Sequence, residues 1–368
     1  MKKTPLHQNH LDLGAKMGEF AGYDMPLYYD EGVMAEHLWT RSSAGLFDVS
    51  HMGQAMIKGA DARAFVEKLT PSDYSKTPVG RSKYTVLMNP EGGMVDDTIV
   101  TRAEDDGFHF VLNAGCKDKD IAWIKSHLPE GLEFKIYDDY ALIALQGPKA
   151  EAVMRDALGI DLADMPYMSL KTIGDNEMFV TRLGYTGEDG FELSVKNEEM
   201  PALWDKLMAH DAVKPVGLAA RDSLRLEMGY PLYGHDIDDT TSPIEADISW
   251  IMGKHKNNKT FIGAERVLAE IENGASRVRV GVKLTGRGVA REGAEIRNDA
   301  DEKIGVLTSG GHSPSLKESI GQGYIDPRFA KSGTELLVNV RGRNIEAVVA
   351  PMPFVPASTK SMKAKKAA

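Results

Sequence analysis

Two short segments carry the side chains best suited to chemistry. Met94-Val-Asp96-Asp97-Thr-Ile-Val places two carboxylates at the centre of an apolar run. Alternation along a strand sends neighbouring side chains to opposite faces, so one aspartate faces one way and its neighbour the other. A half-buried aspartate in a strand costs free energy unless something compensates, and a ligand-facing acid/base carboxylate is one compensation. The competing reading makes both residues caps of the Gly92-Gly93 turn. The second segment is Gly184-Tyr-Thr-Gly-Glu-Asp-Gly-Phe-Glu192. Glycines at 184, 187 and 190 predict backbone with positive φ and close approach to a ligand. Thr186, Glu188, Asp189 and Glu192 add oxygen acceptors. Tyr185 offers a flat stacking face, and Glu192 a carboxylate able to accept two parallel hydrogen bonds from an amidine-like edge, as on a pterin or purine. A plain turn leading into a strand is the alternative.

Two further groupings need weighing. Ala220-Arg-Asp-Ser-Leu-Arg-Leu-Glu227 reads as a helix with Arg221 and Arg225 one turn apart and Asp222 and Glu227 available as partners. It is either a salt-bridged structural helix or, with Tyr230 and Tyr233 following, a surface for an anionic or planar ligand. Phe47-Asp-Val-Ser-His-Met52 contains an aspartate, a serine and a histidine, but consecutive residues cannot assemble a nucleophile, base and orienter on one face. His51 therefore reads as a packed, hydrogen-bonded histidine, and Met52 as the wall of an apolar pocket. Cys116, flanked by Lys117 and Lys119, reads as structural.

The elements that must position these residues follow from periodicity. Residues 84–113 predict a three-stranded meander with turns at Asn89-Pro-Glu-Gly-Gly and Glu104-Asp-Asp-Gly. Helices are expected at 61–69, 117–127, 149–158, 198–210, 217–229 and 261–273, the last stopped by Asn273-Gly274. Beyond residue 276 short β runs at 278–284, 295–298, 304–308, 321–325, 336–340 and 345–350 predict a separate all-β, barrel-like unit with a hairpin tip at Arg341-Gly-Arg343-Asn344. Strands and helices do not alternate regularly before that point, so the class is α+β.

The 368 residues are 42% hydrophobic and 27% charged, enough for two or three units. A net charge of -10 argues against nucleic acid or a membrane surface as partner. The lysine-rich end from Lys360 reads as a disordered tail. One cysteine excludes an internal disulfide and points to a reducing compartment. No apolar run reaches the roughly 18 residues of a membrane helix, and the first residues lack the apolar core of a signal peptide, so the expected location is cytoplasmic. There is no Gly-x-Gly-x-x-Gly after a strand, no phosphate-loop lysine and no His-Glu-x-x-His, and the ten histidines do not cluster at ligand spacing. No metal is expected.

Taken in order, Thr4-Pro-Leu, Gly14-Ala-Lys-Met, Phe20-Ala-Gly-Tyr-Asp-Met-Pro, Phe47-Asp-Val-Ser-His-Met, Gly92-Gly-Met-Val-Asp-Asp, Leu145-Gln-Gly-Pro, Gly184-Tyr-Thr-Gly-Glu-Asp-Gly, Ala220-Arg-Asp-Ser-Leu-Arg-Leu-Glu, Leu232-Tyr-Gly, Thr308-Ser-Gly-Gly-His-Ser-Pro-Ser-Leu and Met352-Pro-Phe-Val-Pro resemble the aminomethyltransferase (T-protein) family of the glycine cleavage system. The resemblance spans nearly the whole chain. Tyr23 departs from it, standing where many relatives have tryptophan, and nothing after Pro356 matches firmly.

That resemblance implies a three-domain cloverleaf around a central tetrahydrofolate channel: residues 1–52 with 140–275 as a discontinuous α+β domain, 53–139 as an inserted α+β domain, and 276–368 as the barrel with its tail. It implies transfer of the methylene of an aminomethyl group, carried on the lipoyl arm of an H-protein partner, to tetrahydrofolate, giving 5,10-methylenetetrahydrofolate, ammonia and the dihydrolipoyl carrier. Asp97 would be the catalytic carboxylate. Tyr185 and Glu192 would hold the pterin, Met52, Tyr84 and Asn113 would line the pocket, and Arg221 would sit beside the folate, with Tyr233 and Asp96 as further members. The alternatives are a folate-dependent demethylase of dimethylsulfoniopropionate and a non-catalytic folate-binding module. Asp97 and the intact Arg221 motif favour aminomethyl transfer. An acidic carrier would need a local basic patch, for which Lys254-His-Lys256 or Arg341 and Arg343 are candidates.

Overall fold

The computed structural model describes residues 1–174, 178–253 and 260–360. Within them an eleven-stranded sheet runs, edge to edge, through Val213–Pro215, Ala44–Asp48, Tyr140–Gln146, Gly190–Lys196, Met178–Arg182, Ser169–Ile173, Arg81–Met88, Met94–Glu104, Gly107–Leu112, Gly53–Lys58 and Glu133–Ile136. Every pairing is antiparallel except that of the edge strand Val213–Pro215 with Ala44–Asp48. The two halves of the sheet meet at one pair, Ser169 with Arg81.

Each half has its own core. Trp204, Phe191, Leu46 and Leu145 anchor one under the helices Ala150–Leu158 and Met200–Met208. Phe65, Phe108, Phe110 and Tyr74 anchor the other against Ala62–Leu69 and Lys117–His127. The expected meander is Arg81–Met88, Met94–Glu104 and Gly107–Leu112, and all six expected helices form, to within a few residues at their ends. Gly274, at φ +85°, closes Ala264–Asn273 in a conformation that side-chain-bearing residues rarely adopt. Two helices escape the sequence reading, His7–Asp12 and Val33–Ser42. The first is a six-residue turn, and the second carries exposed Met34 and Leu38 on its outer side, which blurs its amphipathic pattern.

The C-terminal unit is a closed barrel of Val278–Leu284, Glu318–Ile325, Lys303–Ser313, Glu295–Arg297, Glu335–Val340 and Arg343–Ala350, as the β runs predict. Its hairpin tip is two residues, Arg341 and Gly342, both at positive φ. That is the turn whose twist matches a two-residue hairpin.

Buried polar bonds dock the barrel on the helix Leu218–Glu227. Asp236 accepts from Arg225 Nη1 (2.8 Å), Ser309 Oγ (2.8 Å) and Gln322 Nε2 (2.8 Å). Glu227 accepts from Arg41 Nη2 (2.8 Å), Ser313 Oγ (2.5 Å) and Ser315 Oγ (2.9 Å). After the barrel the chain returns to the first unit. Phe354 N bonds Glu227 O, Ser358 N bonds Gly187 O, and Lys360 Nζ bonds Glu151 and Ala163 O. Lys360 is therefore an anchor and not the start of a solvated tail; residues 361–368 lie outside the described residues, as does the candidate patch Lys254-His-Lys256. No described helix is long and apolar enough to cross a membrane.

Candidate active site

Asp97 lies mid-strand in Met94–Glu104, buried, with both oxygens engaged. Tyr84 Oη, from the adjacent strand, donates to Oδ2 at 2.9 Å, and Asn113 Nδ2, just past the third strand of the meander, donates to Oδ1 at 2.7 Å. The Gly92-Gly93 turn does not use the aspartates: Asn89 Oδ1 takes the Gly93 N–H at 2.8 Å. Pleating sends Asp96 to the other face, against the helix Lys117–His127, where it is fully buried. Burial, then the negative charge of Asp96, pushes the Asp97 carboxyl up to about 7 against the hydrogen bonds of Tyr84 and Asn113. A carboxyl in that range can both take and return a proton near neutrality.

The loop 184–190 faces the same space, and its residues divide by partner. Thr186 Oγ1 donates to Gln146, Glu188 accepts from Arg41 (2.9 Å), and Asp189 from Arg182 (3.0 Å). Three of the four expected acceptors are thus spent on the scaffold. Of the four, only the Glu192 side chain makes no hydrogen bond among the described residues, and its strand buries it to 6% exposure. Burial pushes its carboxyl up to about 7, and the charge of Arg221 pulls it back. The glycines also differ from expectation. Only Gly187 has positive φ (+78°); Gly184 and Gly190 are required because a Cβ there would overlap Gln146 and the Leu145 carbonyl.

Arg221 and Arg225, one helical turn apart, have opposite fates. Arg225 is consumed by Asp222 and Asp236. Arg221 leaves Nη1 buried and without a partner, with its guanidinium carbon 4.9 Å from the Tyr185 ring centre. An orphaned buried donor beside an unbonded carboxylate is costly in the protein alone and becomes satisfied by a polar ligand. Tyr185 stacks on Tyr230 (5.7 Å, 20°) and gives its hydroxyl to Pro231 O, which fixes the ring beside the Arg221 guanidinium.

The remaining candidates are placed less directly. Met52 packs on the buried cluster of Phe47, Val49 and Val111, against which Ile99 also packs, and lines a cavity of about 270 Å³ with Tyr23, Lys117 and Tyr137. Tyr233 donates to Met94 O (2.9 Å) and accepts from Lys119 Nζ (2.7 Å), so its hydroxyl is already engaged. His51 is buried against Phe20 and Tyr23, but its Nδ1 has no partner, contrary to the hydrogen-bonded reading; burial lowers it to about 4 and keeps it neutral. Asp48 instead bonds His10 (2.9 Å) and Thr4 (2.6 Å), so no Asp-His-Ser relay exists in that segment. Cys116 is buried, and burial raises its thiol beyond reactivity. A larger cavity, about 400 Å³, lies away from these residues, along Asp161–Pro166 and Gly80-Arg81. Sequence reading missed Trp250, 62% exposed and stacked on Tyr84 at 5.7 Å. Its only signal was an isolated tryptophan in a stretch with no strong periodicity. No group of metal-ligating side chains occurs among the described residues.

The family models that match this chain are the GCVT N-terminal domain, over residues 6–256, and the glycine cleavage T-protein C-terminal barrel domain, over 277–356. A Bacteroides fragilis protein named aminomethyltransferase is 42% identical over 361 residues, covering 96% of this chain and 99% of that one. The mitochondrial aminomethyltransferase of Saccharomyces cerevisiae is 41% identical, with 97% and 95% covered. The crystal structure of glycine cleavage system aminomethyltransferase T from Bartonella henselae superposes with a TM-score of 0.93 at 40% identity, covering 97% and 99%.

Proposed function

The chain belongs to the glycine cleavage T-protein family and is an aminomethyltransferase, and on that premise we propose that Asp97 is the acid/base carboxylate of the transfer. The observation that carries this is the placement of Asp97: a buried carboxyl pushed to about 7 and oriented by Tyr84 and Asn113. Tetrahydrofolate is the co-substrate, its nitrogens N5 and N10 receiving the one-carbon unit. Asp97 exchanges the proton that must move as the carbon–nitrogen bonds form.

Glu192 and Arg221 hold the pterin end. The carboxylate accepts two N–H groups from the amidine-like edge, and the guanidinium donates through its unpartnered Nη1. Tyr185 supplies the stacking face, and Tyr84, Met52 and Asn113 complete the walls. The donor is the aminomethyl-lipoyl arm of an H-protein, and the products are 5,10-methylenetetrahydrofolate, ammonia and the dihydrolipoyl carrier. Folate and lipoyl carbon held together in a water-poor site supply the rest of the rate enhancement by proximity. We divide the chain into three units around that site: 1–52 with 140–275, 53–139, and the barrel from 276. The single Ser169–Arg81 pairing between the two halves of the sheet supports the first boundary. The free, buried Cys116 is in keeping with a reducing, cytoplasmic setting.

The test is an assay with tetrahydrofolate and aminomethyl-lipoyl H-protein that reads ammonia and methylenetetrahydrofolate together. Stoichiometric release of both supports the reading. Folate binding without either product overturns it in favour of the demethylase or the non-catalytic module.

A further inference from the structure

Behind Asp97, on the opposite face of its strand, lies a second pair of carboxyls that the transfer reaction does not use. Asp96 and Asp120 are both fully buried, Asp120 on the first turn of Lys117–His127, and their carboxyls are packed against each other where that helix meets the strand. Two carboxylates cannot make such a contact without a proton between them. The surrounding donors show which carries it. Asp96 receives Asn113 Nδ2 (3.0 Å) and Asn113 N (3.4 Å). Neither oxygen of Asp120 receives any donor. Two donors stabilise charge on Asp96, and none stabilises it on Asp120.

We propose that Asp120 is a neutral carboxylic acid that donates its proton to Asp96, and that the resulting fixed anion acts as a positioning group for Asp97. The link is Asn113, whose single Nδ2 bridges Asp96 Oδ1 (3.0 Å), Asp97 Oδ1 (2.7 Å) and the Asp97 carbonyl (2.9 Å). Asn113 is therefore oriented by the anion on one face and presented to Asp97 on the other. The other groups near the cluster do not supply this proton. Lys119 gives its ammonium to Tyr233 and Asp239, Tyr233 donates to Met94 O, and Tyr84 and Tyr185 face Asp97 from the ligand side. The Cys116 thiol is held un-ionised by burial, and burial together with Asp96 raises Asp120 far above the carboxylate range.

The inference rests on the reading of Asp97 as the acid/base group, and two measurements separate the two claims. The first is infrared difference spectroscopy of the full chain at about pH 8, where ordinary carboxyls are ionised. Wild type minus Asp120→Asn should show the carbonyl stretch of one un-ionised carboxylic acid, and Asp97→Asn should retain that band. Its absence from wild type, or its persistence in Asp120→Asn, overturns the pair whatever Asp97 does.

The second is the pH profile of kcat. Asp96→Asn and Asp120→Leu each remove the anion or its proton donor, and should move the acid limb to lower pH by about one unit with KM for folate held. Asp120→Asn restores a donor to Asp96 and should return the limb toward wild type. An acid limb unmoved in Asp96→Asn, or moved as far by Asp120→Asn as by Asp120→Leu, overturns the positioning role. If Asp120→Leu fails to fold, Asp96→Asn and the infrared band decide the matter.

Discussion

The hydroxyl of Tyr84 stands 2.9 Å from Asp97 Oδ2, across two neighbouring strands. Register makes this contact: Tyr84 pairs with Ile99 and Val86 with Asp97, so Tyr84 and Asp97 share one face, one step apart along the ladder. With Asn113 on the other oxygen, the carboxyl cannot rotate away from the site. A group so held serves chemistry more than binding, and that distinction can be measured.

Asp97→Asn keeps the size and the bond to Tyr84 but cannot exchange a proton. Turnover should fall by about 10²–10⁴-fold, with folate affinity within a few-fold of wild type. Steady-state rates beside a folate titration check it, and a parallel loss of affinity would refute the acid/base role.

Glu192→Ala should act on binding first. A lost charge-assisted pair to a buried ligand is worth about 1.5–3 kcal/mol, or roughly 10–100-fold in Kd. Calorimetric titration with tetrahydrofolate reads it directly, and an unchanged Kd would remove Glu192 from the pterin site.

The raised carboxyls predict a pH signature in stability. Asp97 and Glu192, free of ligand, each sit at about 7, above their unfolded values near 4. The folded chain then binds more protons than the unfolded one between those limits, so their contribution is full below about pH 4 and lost as pH rises to about 7. Asp97→Asn, which never ionises, should gain Tm relative to wild type across that window. Thermal melts at about pH 5 and 8 give the comparison, and a gap that shrinks with rising pH contradicts the burial argument.

Glu227 has the opposite sign. Burial opposes its charge, but hydrogen bonds from His37, Ser313 and Arg41 prevail and hold it at about 2. Its contribution is present above the unfolded value and lost as pH falls toward 2. Glu227→Gln should destabilise the chain by about 1.5–3 kcal/mol at neutral pH, because Arg41 keeps Glu188 but loses the charged acceptor it shares with the barrel serines. Urea unfolding measures this, and a shift below about 1 kcal/mol would show that the junction with the barrel does not depend on the ion pair.

Much of the candidate site was legible because its signals are local. An aspartate pair inside Met-Val-Asp-Asp-Thr-Ile-Val is anomalous whatever surrounds it, and alternation already implies two faces. Helix periodicity set Arg221 and Arg225 on one side, and three glycines marked the 184–190 turn. The barrel strands were legible for the same reason, since short β runs between glycine-rich turns need no distant partner to be recognised.

Partners far along the chain decided the rest. Glu188 is removed from the ligand side by Arg41, 147 residues away, and Arg225 from it by Asp236 and Ser309. Glu192 and Arg221 are left as the unsatisfied groups by subtraction. Sequence supplied the residue types, their faces and the order of strands and helices, because those follow from spacing along one backbone. Which carboxylate and which guanidinium remain free for a ligand was decided only by tertiary structure, because hydrogen bonding is a competition among groups that folding alone brings within about 3 Å.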